Sequence, residues 1–133
     1  MNGLSISQPW AWAILNLGKD IENRPWKTTY RGWIAIHAPI KIMPYEKSDF
    51  PRGSKIPKKE DLVTSAIVGV ARISDCVEKN KSKWHQDGYY GFVLTSVHKL
   101  KKPIECKGAR KFWKVPAPLL RKIKVQLPKL NLD

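Results

Sequence analysis

The sequence predicts a mainly β fold with short helices, an α+β chain whose strands form a small barrel-like sheet. Three observations point there. Residues 33–38, 66–75 and 90–97 are apolar stretches bounded by turn signals, as strands are. A segment of helical periodicity follows a short first strand. The chain has 133 residues, 42% of them hydrophobic, enough for one core without a disulfide or metal staple. A single domain over residues 1–133 is therefore expected.

Leu4 and Ile6 mark the first strand. Ser7 is a helix-capping residue, and Pro9 sits in the first helical turn, where its missing N–H costs nothing. Trp10, Ala13, Ile14 and Leu17 recur at i, i+3, i+4 and i+7, one apolar helical face, and Gly18 is a stop signal. A helix is expected from about residue 9 to 17. Residues 21–26 read as extended, because Pro25 biases Arg24 away from helix, and 27–32 read as a turn. The run 33–38 is apolar throughout, so a strand buried on both faces is expected, closed by Pro39. Residues 41–61 hold Pro44, Pro51, Gly53 and Pro57 and read as a long irregular loop at about 40–62, partly helical or mobile. In the strand 66–75, Gly69 marks a bulge or a close backbone approach. Along 90–97, Phe92 and Leu94 face one side and Val93 the other, with turns at Gly88 and at 99–103. Residues 112–115 form a short extended piece and 116–120 a brief helical turn. Residues 122–127 set Lys122, Lys124 and Gln126 against Ile123, Val125 and Leu127, the alternation of a half-exposed strand.

Charge is the strongest compositional signal. Twenty-five Lys and Arg face eleven Asp and Glu, a net +14 with pI about 10.0. Such a field draws polyanions before any specific contact forms. Six Trp and four Tyr accompany it, and bases stack on aromatic faces while Lys and Arg hold phosphates. The excess is uneven: from Lys99 to Lys124 there are ten basic residues and one acid, Glu105. Mean hydropathy is −0.42. No run approaches the roughly 18 apolar residues of a membrane span, and Met1–Gln8 has no secretion-signal pattern. Cys76 and Cys106 are isolated and form neither a disulfide framework nor a zinc site. A cytosolic, cytoplasmic protein without membrane association is the expectation.

Nucleotide-binding glycine loops, metalloprotease and nucleophile-elbow motifs are absent, so no cofactor and no metal are expected. His37 lies in an apolar strand and reads as a satisfied core histidine, His85 as a surface residue, and nothing recommends His98.

The information is densest between Gly18 and Gly32. If 21–26 is extended, Glu22, Arg24 and Trp26 share one face. A carboxylate that accepts from an exocyclic amine, a guanidinium and an indole face together suit a nucleobase. The same residues also suit a structural Glu22–Arg24 ion pair with Trp26 in the core.

Leu4-Ser5-Ile6, Gln8-Pro9-Trp10-Ala11, Gly18-x-x-x-Glu22-x-Arg24-x-Trp26-x-Thr28, Arg31-Gly32 and Ile36-His37-Ala38 together resemble the ASCH domain (activating signal cointegrator homology). Gly69, Asp75-Cys76, Gly91-Phe92-Val93, Gly108 and Trp113-Lys114 extend the likeness to about Val115. The resemblance implies a PUA-like β-barrel with a helix after the first strand, association with RNA or other single-stranded nucleic acid, and a coactivator or a larger RNA-processing or translation-related setting. It implies a cleft between helix and barrel at Lys19, Glu22, Arg24 and Trp26. Some relatives resemble amidohydrolases of N4-acetylcytidine that use a Lys and a Thr after the helix; Lys19 matches, and Glu22 stands where they have the Thr. Others are similar to single-strand ribonucleases that use Lys and Tyr, positions Lys19 and Tyr30 could fill.

Three functions follow as expectations. The first is nucleic-acid binding through Lys19, Glu22, Arg24, Trp26, Tyr30, Arg31, Lys107, Arg110 and Lys111. The second is an RNA-directed or modified-cytidine hydrolase with Lys19 and Glu22 catalytic, the Lys19 pKa lowered by Arg24 and partial burial. The third is an interaction module for an acidic protein partner.

Overall fold

A computed structural model describes residues 1–133. Six strands and two helices follow in chain order: β1 (Asn2–Ser5), α1 (Trp10–Asn16), β2 (Ile21–Arg24), β3 (Gly32–Ala38), β4 (Ala66–Val77), β5 (Tyr90–Glu105), β6 (Phe112–Lys114) and α2 (Ala117–Gln126). The strands form one curled, half-barrel sheet in the order β2-β5-β4-β3-β1-β6. Only β1 and β3 run parallel; the other pairs are antiparallel. The mainly β, α+β class expected from the sequence is the fold observed. The long loop carries two short 3-10 turns, Lys47–Asp49 and Lys59–Asp61. No helix is long and apolar enough to cross a membrane.

β3 is buried on both faces, as its unbroken apolar run implies. Ile34, Ile36 and Ala38 enter one core with Leu4, Ile14 and Phe92. Trp33 and Ala35, on the alternate face, enter a second core with Val70, Leu100 and Ile123. α1 covers the first core and α2 the second. Gly69 shows both features read from it. The β4–β5 register shifts there, and a Cβ on Gly69 would lie 2.5 Å from Leu15 Cδ2 and 2.7 Å from the His98 carbonyl oxygen.

β2 and β6 are the two open edges of the sheet, and aromatic side chains join them. Trp26, just beyond β2, meets Phe92 of β5 edge-on at 5.1 Å and Phe112 of β6 at 5.5 Å between ring centroids. Side-chain packing thus closes a seam that no backbone ladder closes.

Three local expectations need correction. Residues 116–127 are not a helical turn followed by a strand but the single helix α2. The alternation of Ile123, Val125 and Leu127 misleads: Ile123 is fully buried while Val125 is 79% exposed. Leu119, Leu120, Ile123 and Leu127 instead form one helical stripe against the second core.

Residues 99–103 are not a turn. β5 continues through them, with Lys99 opposite Gly69 and Ile104 opposite Ile67. Leu100, Lys101, Lys102 and Pro103 therefore bulge opposite Val68, a place where a proline breaks no ladder. The outer edge of this bulge is met by α2: the Gln126 side chain accepts from Lys102 N at 3.0 Å and donates to Lys102 O at 2.8 Å.

Finally, the Ser7 side chain does not cap α1. Gln8 Oε1 accepts from Trp12 N at 2.8 Å, while Gln8 Nε2 donates to the Val63 carbonyl. The longer amide reaches both the helix and the end of the long loop.

Candidate nucleic-acid interface

The turn from α1 into β2 builds the first half of the site. Gly18 takes φ +67°, a conformation that glycine adopts without strain, and the chain doubles back so that Lys19 points inward. Lys19 is 4% exposed; its ammonium donates to the Ile21 carbonyl and stands 3.7 Å from Glu22 Oε1. On the extended strand Glu22 and Arg24 share a face, and Arg24 Nε donates to Glu22 Oε2 at 2.9 Å. Arg24 Nη2 also donates to the Ser5 carbonyl at 2.7 Å, tying β2 to β1. Burial pulls the Lys19 pKa below its usual value; the Glu22 carboxylate opposes the shift, and Arg24 adds only the smallest contribution. Loss of hydration, rather than the neighbouring cation, is the dominant cause.

These three residues line a cleft of about 590 Å³ beside α1. Its walls include two indoles. Trp10 stacks on Phe50 of the long loop at 5.4 Å, and the Lys83 ammonium lies 5.9 Å from the Trp84 ring centre. Asn23 fastens the Trp84 segment to β2, donating to the Trp84 carbonyl and accepting from Gln86 N, both at 2.9 Å.

Arg24 and Ser5 also line a second cavity of about 860 Å³, bounded by the ends of β1, β2 and β3 and by the connection from β5 to β6. Trp26, Lys107, Arg110 and Lys111 line it as well. The Lys111 ammonium stands 5.9 Å from the Trp26 ring centre. His37, 2% exposed, is the satisfied core histidine read from the sequence: Ser5 Oγ lies 2.9 Å from Nδ1, and the Cys106 carbonyl 2.8 Å from Nε2. Burial pushes the Cys106 thiol above its ordinary pKa, which keeps it protonated and a poor nucleophile at neutral pH.

The nine residues named from sequence therefore fall into four groups. Lys19 and Glu22 line the cleft. Trp26, Lys107, Arg110 and Lys111 line the second cavity, and Arg24 touches both. Tyr30 and Arg31 line neither. The Tyr30 hydroxyl donates to the Trp33 carbonyl and its ring lies 5.2 Å from Phe112; Arg31 caps the Thr28 and Tyr30 carbonyls and reaches Asp75 at 3.6 Å. Sequence reading missed Trp10 and Trp84 as cleft walls and Ser5 as a cavity residue. The available signals were Trp10 within the Gln8-Pro9-Trp10-Ala11 motif and the basic–aromatic pair Lys83-Trp84.

The chain is thus a curled α+β half-barrel with a buried ion network beside its first helix and a basic β5–β6 connection lining the adjoining cavity. The ASCH domain family model matches residues 4–116, and the chain belongs to that family. Activating signal cointegrator 1 of Homo sapiens is 27% identical over 143 aligned positions, covering 96% of this chain and 24% of the relative. The Mus musculus protein of the same name is 25% identical with the same coverage. The chain thus spans 24% of the length of these relatives.

Proposed function

We propose that this domain binds single-stranded RNA, taking one unpaired base in the cleft beside α1 and backbone phosphates on the basic β5–β6 connection. The family is generally thought to bind RNA. The observation that carries the reading is the composition of the cleft: Trp10 and Trp84 offer aromatic faces, and Glu22 and Arg24 lie in the same lining. Glu22 Oε1, 3.7 Å from the Lys19 ammonium, is beyond hydrogen-bond length from it and suits a base's exocyclic amine. Fluorescence anisotropy with a single-stranded oligoribonucleotide tests this. With about five phosphates neutralised, log K should fall against log[salt] with a slope near −3.5. Trp84→Ala should weaken binding roughly tenfold or more, the worth of one stacked base. A flat salt dependence would overturn the reading.

A hydrolase of modified cytidine or of RNA is the second reading. One observation favours it: a lysine whose pKa burial lowers sits beside a carboxylate in the same cleft, as a proton-transfer pair requires. On that reading, N4-acetylcytidine or labelled single-stranded RNA is turned over at high protein concentration and Lys19→Met abolishes the turnover. If neither substrate is consumed, this reading is removed.

A further inference from the structure

The cavity under the β5–β6 connection is more cationic than passage of a single phosphodiester requires. Arg24, Lys107, Arg110 and Lys111 line it, and neither Asp nor Glu does. Arg24 uses its guanidinium for two bonds, to Glu22 and to the Ser5 carbonyl, which fix the fork while its remaining N–H groups stay available as donors.

The basic connection is held against the cavity floor. A carbonyl oxygen only accepts, so the short contact to Cys106 O assigns the His37 proton to Nε2, and the Ser5 hydroxyl donates to Nδ1. Gly108 lies directly on this pair: a Cβ there would meet Ser5 Oγ, and His37 Nδ1 at 2.6 Å. His37 and Gly108 thus hold the backbone at the start of the connection against the cavity floor, and the exposed side chains of Lys107, Arg110 and Lys111 extend from that anchored segment.

Charge selects the ligand. A diester phosphate carries one negative charge, whereas a phosphomonoester carries about −1.5 to −2 at neutral pH and three acceptor oxygens, the better match to a lining of three unpaired cations, Lys107, Arg110 and Lys111, beside the Glu22-paired Arg24. We propose that this cavity receives a terminal phosphomonoester, the end phosphate of a strand or nucleotide. The strand rests on the RNA-binding reading above; the phosphate does not.

The experiment has two arms. In the first, one oligoribonucleotide is compared with a 5′-phosphate, with a 3′-phosphate and with hydroxyls at both ends. One end phosphate should tighten binding about tenfold, and the Arg110→Ala/Lys111→Ala double variant should bind all three strands equally. In the second, adenosine 5′-monophosphate and adenosine are titrated while the Gly108 amide and Trp26 indole resonances are followed; only the monophosphate should shift them. Equal affinity for all three strands in the unsubstituted protein, with no selective shift from the monophosphate, overturns the phosphate site and leaves RNA binding intact. A monophosphate-specific shift without strand binding overturns the RNA reading and leaves the site. If neither arm responds, both fall.

Discussion

Replacing Glu22 with Gln is expected to destabilise the domain by about 3 kcal/mol, near the lower end of what removing one member of a buried charge network costs. Glu22 is the only carboxylate between two cations, 3.7 Å from the Lys19 ammonium and 2.9 Å from Arg24 Nε. Lys19 is almost wholly buried and Arg24 keeps 18% side-chain exposure, so the larger share of the loss falls on the stranded lysine. Urea denaturation measures it, and a loss under about 1 kcal/mol would mean that water already screens the network.

The pH dependence supplies a second check. The folded-state pKa of Lys19 lies below its usual 10.5, so between those two values the unfolded chain binds more protons and stability rises with pH. Lys19→Met should remove that rise. Glu22→Gln takes away the group that holds the pKa up, and should extend the rise toward neutral pH. Tyr30, whose pKa burial raises, acts in the opposite sense above pH 10.0, so the comparison is cleanest below it.

Trp26→Ala is expected to cost about 3 kcal/mol, at the low end for truncating a tryptophan because the indole is only half-buried. Its contacts with Phe92 and Phe112 join the two unpaired edges of the sheet, so the loss should appear as a lowered urea midpoint. Trp26→Phe should recover much of it. If the alanine variant keeps its midpoint, the seam is held by other contacts. Because Trp26 also lines the cationic cavity, its truncation alters binding through the fold, which makes Trp84 the better probe of base stacking.

The legible parts of the sequence were those where local pattern and tertiary context agree. The face of Trp10, Ala13, Ile14 and Leu17 located α1, and the apolar run ending at Ala38 located a strand with both sides covered. The Glu22–Arg24 alternation was readable because a strand of any register places those two side chains together. The misread parts were those where context decides. Residues 122–127 alternate like a strand, yet the stripe that matters begins at Leu119 and needs the second core to reveal it. Pro103 signalled a break and in fact occupies a bulge, a distinction set by the distant strand partners Ile67 and Gly69 on β4. The cleft walls Trp10 and Trp84 lie far apart in sequence, and Asn23 brings the second of them to β2.

The two hydrogen bonds between Gln126 and Lys102 also bear on how copies of this chain meet one another. Past its pairing with β2, the outer flank of β5 is a row of amides and carbonyls of the kind that templates runaway stacking between molecules. A glutamine from α2 occupies that flank at Lys102 like a one-residue dummy strand, and the neighbouring charges of Lys99 and Lys101 repel an identical ribbon. Undocking α2 would uncover the Lys102 amide and carbonyl that Gln126 now occupies.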